Sequence, residues 1–294
     1  MAQNPGTLIR DISDTARWVA FYRAQETELP DPLFRDPYAR RLAGERGEEI
    51  ARAIAPRSQG DWPFVIRTFL FDSFIAEHVR AGGDLIVNLA AGLDARPYRL
   101  ELPPSLRWVE VDLPGILDYK EDILGEERPR CELRRVRLDL RDRDARRALF
   151  AELGGSTKNA LVITEGLMVY LTPDQAAGLA EDLAVPQGFR NWALDLMSPG
   201  LRRMIWGQIG EFLNQAQAPL QFSPEEGPGV FEAQGWRPAD VRSFLRWAAT
   251  TRRLPWWMQL LAHLPQSNGK QGAAIWAAVC LLGNRGHEGA ARGL

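Results

Sequence analysis

Between residues 85 and 197, short apolar runs rich in β-branched side chains alternate with stretches of helical periodicity. This rhythm restricts the chain to a parallel sheet covered on both faces by crossover helices. The strand-like runs are 85–89, 108–111, 135–138, 161–164 and 189–197. Helices are expected at 114–124, opening on Pro114, at 143–153 after Asp142 as N-cap, and at 173–183 after Thr172 as N-cap. Upstream, 62–80 sets Val65, Ile66, Phe69, Leu70, Phe74 and Ile75 at helical spacing, and 16–25 reads as another amphipathic helix. Downstream the rhythm breaks: 201–215 and 238–249 read as helices and 274–282 as a last buried strand. Between them, 218–229 carries Pro219, Pro224, Gly227, Pro228 and Gly229 and reads as a long loop with few apolar side chains to bury. Trp206, Trp236, Trp247, Trp256 and Trp257 make this later portion an aromatic-rich cap.

The remaining composition removes several kinds of chemistry. With 36 basic and 38 acidic side chains the formal charge is -2, so no global field draws in nucleic acid or an anionic membrane surface. Cys131 and Cys280 make no disulfide framework and no metal-ligand cluster, and His78, His263 and His287 stand far apart without HxxH or HExxH spacing. No metal site and no His-activated nucleophile is signalled. The first residues lack a signal-peptide pattern, and the longest apolar run, 273–282, is half of what a membrane span requires. A cytoplasmic protein is the expectation.

The chemistry-bearing residues fall at strand ends. Asn88-Leu89-Ala90-Ala91-Gly92-Leu93-Asp94 follows the first strand, where small residues let a ligand approach the backbone closely. Asp112 ends the second strand twenty positions after Gly92, placed to accept both hydroxyls of an adenosine ribose or simply to serve turn chemistry. Asp139 and Leu140 follow the third strand, fit to meet an adenine amino group and ring, unless Asp139 only caps the next turn. Glu165 follows the fourth, beside Gly166. A dinucleotide pyrophosphate needs GxGxxG, whereas Ala90, Gly92 and Ala95 stand at those positions, with Pro97 just beyond. A phosphate-free ligand such as S-adenosylmethionine needs only the close approach at Gly92 and a partner for its amino-acid end. Arg67, on the preceding helix, is either that bidentate carboxylate partner or an exposed helix charge.

Together Arg67-Thr68-Phe69-Leu70-Phe71-Asp72, the 88–99 segment ending Ala95-Arg96-Pro97-Tyr98-Arg99, Val109-Glu110-Val111-Asp112-Leu113-Pro114, Asp139-Leu140-Arg141-Asp142 and Thr164-Glu165-Gly166-Leu167-Met168-Val169-Tyr170 resemble the leucine carboxyl methyltransferase family, in particular its bacterial branch of S-adenosylmethionine-dependent O-methyltransferases. The similarity runs from about Thr15, through Asp31-Pro32-Leu33-Phe34, to about Leu282. The resemblance implies an α/β fold: a class I, Rossmann-like methyltransferase with a mostly parallel seven-stranded sheet, helices on both faces and the last strand inserted antiparallel. It implies that Arg67 holds the cofactor carboxylate, Ala90, Gly92 and Asp94 pass beside its amino-acid portion, Asp112 holds the ribose, Asp139 and Leu140 contact adenine, and Glu165 lies near the methionine moiety. The family's usual glycine is replaced by Ala90, so the turn is expected to press closer to the ligand.

One domain over 1–294 is expected, with an N-terminal helical segment at 10–81, a cofactor-binding core at 84–197, a cap or lid insertion at 198–270, a final strand at 271–283 and a disordered tail at 284–294. Methyl transfer from a sulfonium needs no protonation of its leaving group, and with no His in the motifs the acceptor is expected to be a carboxylate or acidic hydroxyl of a small molecule or peptide. Tyr170 is a candidate acceptor contact, or else an anchor near a helix start. Two other readings stay open: a non-catalytic nucleoside- or partner-binding protein on the same fold, and a nucleotide-dependent oxidoreductase.

Overall fold

The computed structural model describes residues 12–54, 60–215, 218–256, 258–259 and 274–285. Helices α1 (Ile12–Thr27), α2 (Ala39–Ile54) and α3 (Trp62–Arg80) precede strand β1 (Leu85–Leu89). There follow α4 (Arg96–Arg99), β2 (Arg107–Asp112), α5 (Pro114–Leu124), β3 (Glu132–Arg137), α6 (Arg143–Gly155), β4 (Ala160–Thr164), α7 (Pro173–Ala184), β5 (Phe189–Met197), α8 (Pro199–Gln215), β6 (Trp236–Ser243), α9 (Phe244–Thr250) and β7 (Ala277–Asn284). The strands form one seven-stranded sheet in the order β3-β2-β1-β4-β5-β7-β6. β1 to β5 run parallel, and β7 lies antiparallel between β5 and β6. Winding reverses between β1 and β4, which opens a crevice at their carboxyl ends where ligands bind in such sheets.

Local signals account for most of these boundaries. Asp142 caps α6 by accepting from the Ala145 amide, and Thr172 and Gln175 close a capping box on α7. Both faces of β1 are buried, as a central parallel strand requires. Leu85, Val87 and Leu89 join a cluster with α6 and α7, while Ile86 joins Leu70, Phe71 and Phe74 of α3 and Phe244 of α9 on the opposite face. A third cluster packs α1, α2, α5 and α8 together with Leu93, Ala95 and Tyr98 from the segment after β1.

The region after β5 departs from the sequence expectation. Residues 238–243, read as the start of a helix, belong to β6, and only Phe244–Thr250 is helical. Pairing with β7 decides this, and the edge position with a register shift between Pro238 and Asp240 tolerates the proline. Trp236 is therefore a core residue, wholly buried against Trp192 with its indole NH donating to the Ala180 carbonyl, while Trp256 is 84% exposed. The 218–229 loop is also unlike an open lid. Ala218, Leu220 and Phe222 are buried, and the amides of Gln221 and Phe222 donate to the Val169 carbonyl. Arg202 fastens it further by donating to Ser223 Oγ at 2.8 Å. Helix α2 lies within the helical segment expected at 10–81, with Leu42, Ala43, Ile50, Ala51 and Ile54 buried at helical spacing; it kinks at Gly44. Of the expected tail, Asn284 ends β7 and Arg285 follows, and the rest lies outside the described residues, as do His263 and His287. No described helix is long and apolar enough to cross a membrane.

Candidate functional site

Every parallel strand carries a carboxylate at or near its carboxyl end: Asp94 after β1, Asp112 on β2, Asp139 after β3, Glu165 after β4 and Asp195 on β5. The turn after β1 is built for close approach. Gly92 has φ 51°, and a Cβ there would stand 3.5 Å from the Ala16 methyl of α1. Ala90 also holds a left-handed φ of 53°, a conformation that strains any residue but glycine. Thus the alanine at the family's glycine position acts on the backbone of the turn itself.

Asp112 secures this turn from the neighbouring strand. Its Oδ2 accepts the Gly92 amide at 2.7 Å and its Oδ1 the Leu113 amide at 2.7 Å. Burial nevertheless pushes its carboxyl above the ordinary range. Asp94 is held from the other side, with Oδ2 accepting Asn88 Nδ2 at 2.8 Å and Arg96 Nη1 at 2.9 Å. Burial pulls Asp94 upward, but Arg96, Lys120 and Arg99 outweigh it and hold the carboxyl at about 2.

Arg67 and Glu165, 98 positions apart in sequence, meet at the centre of the edge with Nε to Oε1 at 3.2 Å. Arg67 is only 15% exposed, so the reading as a surface charge is excluded. Its Nη1 stands 3.6 Å from Asp195 Oδ2, and Phe64 lies beneath its guanidinium at 5.6 Å. Asp195 Oδ1 accepts the Gly166 amide at 2.6 Å, and burial pushes this carboxyl up despite Arg67. Arg96 ties the site together, reaching Glu165 Oε2 at 2.8 Å and Asp72 Oδ1 at 2.6 Å. Arg99 also grips Asp72, at 2.7 Å, and Arg23 of α1 pairs with Asp36 while donating to the Leu93 carbonyl at 2.6 Å.

Asp139 is set apart from this network: it is paired with Arg141, whose hydrogen bonds lower its pKa, and it also accepts the Arg141 amide. Its side chain does not cap α6, a role taken by Asp142. Leu140 packs against the core, and its carbonyl accepts Arg146 Nη1 at 2.6 Å. Tyr170 ends a short 3-10 helix, Met168–Tyr170, packs in the cluster of α1 and α8, and hydrogen-bonds Thr15 of α1. Sequence reasoning passed over Asp72, Arg99 and Asp195 and left Arg96 without a role. Asp195 had a legible signal, as a lone acid in the apolar run Trp192-Ala193-Leu194-Asp195-Leu196 near a strand end, like the acids already singled out.

A switch-point crevice bearing a strained small-residue turn and a strand-end carboxylate, on a seven-stranded sheet whose last strand is inserted antiparallel, defines the class I methyltransferase fold. The leucine carboxyl methyltransferase model matches residues 16–184, more than half of the chain, and the protein belongs to that family. Among curated relatives, a Mycobacteroides abscessus protein is 36% identical over 189 residues, covering 60% of this chain and 63% of its own. A Frankia alni protein is 32% identical over 237 residues, covering 76% of this chain and 82% of its own. Both are provisionally named S-adenosyl-L-methionine-dependent methyltransferases. The alignments to the first relatives span about three fifths of their length. A DUF574-family protein from Streptomyces avermitilis shares the fold, with a TM-score of 0.60 at 14% identity over 92% of this chain and 97% of its own.

Proposed function

We propose that this chain is an S-adenosyl-L-methionine-dependent methyltransferase that O-methylates a carboxylate or acidic hydroxyl of a small molecule or peptide. The observation that carries the reading is the Gly92–Asp112 pair beside the Arg67–Glu165 pair at one sheet edge. The residues fit that cofactor by charge. Arg67, Arg96 and Arg99 face Asp72, Asp94, Glu165 and Asp195, with the neutral Arg23–Asp36 pair beyond and Asp112 beside Gly92, so carboxyl groups outnumber guanidinium groups. A sulfonium and an ammonium with one carboxylate carry a net positive charge, the sign this excess favours. A pyrophosphate would meet Asp94 and Asp112 instead, and the single-turn α4 after the turn offers no extended dipole to offset them, which disfavours the oxidoreductase reading.

The cofactor, when bound, supplies an activated methyl group; the chain supplies alignment and a dry site. On this reading Asp112 fixes the ribose, Arg67 the amino-acid carboxylate, and Asp139 with Leu140 the adenine, which requires Asp139 to loosen its hold on Arg141. α1, packed over Gly92 and tied to Tyr170 through Thr15, excludes water from the sulfonium. Tyr170 is better supported as an α1 anchor than as an acceptor contact. His78, at the far end of α3 from Arg67, is remote from this edge, and burial pushes the Cys131 thiol up to about 12 and the Cys280 thiol higher still. Neither a nearby imidazole nor a thiolate is thus supplied by these residues, which favours an acceptor that ionises on its own.

The test pairs binding with turnover. Calorimetry with S-adenosylhomocysteine should show one site, weakened by about 1–3 kcal/mol in Asp112→Ala. No binding to the folded wild-type protein would sink the reading. An acceptor panel followed by released S-adenosylhomocysteine and product mass should give an alkali-labile ester or an alkali-stable ether; an N-methylated product contradicts both. Tight binding without turnover across the panel favours the non-catalytic alternative.

A further inference from the structure

On the cofactor reading above, we propose that Asp195 is the receptor for the cofactor's α-ammonium group, so that Arg67 and Asp195 together clamp an α-amino-acid zwitterion. The strand ends set the direction. Asp139, Asp112, Gly92 and Glu165 lie along β3, β2, β1 and β4, in the order adenine, ribose and methionine; β5 is the next strand, and its acid is Asp195.

Geometry separates Asp195 from the other acids. Both oxygens of Glu165 are engaged, Oε1 by Arg67 and Oε2 by Arg96. Asp72 is gripped by Arg96 and Arg99, and Asp94 by Asn88 and Arg96. Asp195 has Oδ1 on the Gly166 amide, but Oδ2 stands 3.6 Å from Arg67 Nη1, beyond hydrogen-bond reach. Its side chain is 12% exposed, so bulk water does little to solvate the charge, and Arg67 is already shared with Glu165. A buried carboxylate in that position is stabilised by a cationic donor. In an α-amino acid the carboxylate and the ammonium sit on one carbon, so their receptor must present a guanidinium and a carboxylate a few ångströms apart. The 3.6 Å gap between Arg67 and Asp195 meets that requirement.

Three ligands test this by calorimetry: S-adenosylhomocysteine, its deaminated analogue that keeps the carboxylate, and 5′-methylthioadenosine, which keeps adenine, ribose and thioether but has no amino-acid end. Asp195→Asn retains an amide oxygen for the Gly166 NH. It should weaken S-adenosylhomocysteine by about 10- to 100-fold, as loss of a charged hydrogen-bond partner does, and leave 5′-methylthioadenosine within about twofold. The deaminated analogue should bind wild type more weakly than S-adenosylhomocysteine by a similar factor, and should bind wild type and variant alike. That wild-type comparison keeps the proposal open to refutation even where the variant does not fold. Unchanged S-adenosylhomocysteine affinity in Asp195→Asn, equal weakening of both nucleosides, or full affinity of the deaminated analogue for wild type overturns the proposal alone. Wild type that binds neither nucleoside overturns the cofactor reading and the proposal with it.

Discussion

Ala90 concentrates the local cost of building this site. Its left-handed φ of 53° is tolerated because the chain must leave β1 sharply enough to bring Gly92 under the Asp112 carboxylate. Glycine adopts that backbone without the Cβ clash but has more freedom to lose from the unfolded chain. Ala90→Gly is therefore expected to stabilise the fold by a net of about 0.5–1 kcal/mol, read as a raised denaturation midpoint in urea. A loss of stability would show that the methyl group earns its place by packing. Arg96 matters at the same scale, since one guanidinium holds acids from α3, from the turn after β1 and from the end of β4.

Among the elements, α1 is the one whose placement bears most on access to the crevice. It sets Ala16 where a side chain at Gly92 would meet it, reaches Tyr170 through Thr15, and is pinned to the Leu93 carbonyl by Arg23. Its aromatic face lies beside Arg67, where Trp18 meets Phe64 edge-on at 5.0 Å and Tyr22 stacks on Phe64 at 5.2 Å. A ligand entering beside Gly92 must loosen these contacts and then restore them. Amide exchange in α1 is thus expected to slow on saturation with S-adenosylhomocysteine, while the 218–229 segment, already paired to Val169, changes little. Protection gained at 218–229 with α1 unchanged would assign the lid to that loop, inside the cap or lid insertion expected at 198–270.

For the whole molecule, two buried groups shape the dependence of stability on pH. His78 packs so tightly that a Cβ on Gly83 would lie 2.1 Å from its Nε2, and burial lowers its pKa from 6.5. The unfolded chain then binds the extra proton first. Stability is full above about pH 6.5 and declines as pH falls through the window below it. Asp94, held at about 2 against 3.8, adds a second loss that begins only below about pH 4 and grows toward pH 2. Urea unfolding between pH 8 and pH 3 should show both declines, and His78→Gln should remove the first. A flat profile between pH 7 and pH 5 in the wild type would contradict the His78 assignment.

The parallel core and one half of the site were legible in the sequence because their causes are local. Apolar periodicity placed α3 and β5, and Pro114 in the first turn placed α5, at the bounds observed, and the spacing singled out Gly92 and Asp112, which meet at 2.7 Å. Local pattern was silent or misleading where distant partners decide the outcome. Trp236–Ser243 has neither strict alternation nor freedom from proline, and becomes a strand because β7 supplies its hydrogen bonds. The 218–229 loop looked too polar to pack until Val169 and the cluster around Phe231 gave its backbone and Phe222 somewhere to go. Asp195 and Arg67 come from different layers of the fold, and no spacing rule links them; only the packing of α3 across β4 and β5 brings a guanidinium to two carboxylates. Periodicity and capping are properties of neighbouring residues, so the sequence by itself settled the parallel core, whereas the antiparallel edge and the charge balance of the crevice depend on groups that meet only after the sheet has closed around them.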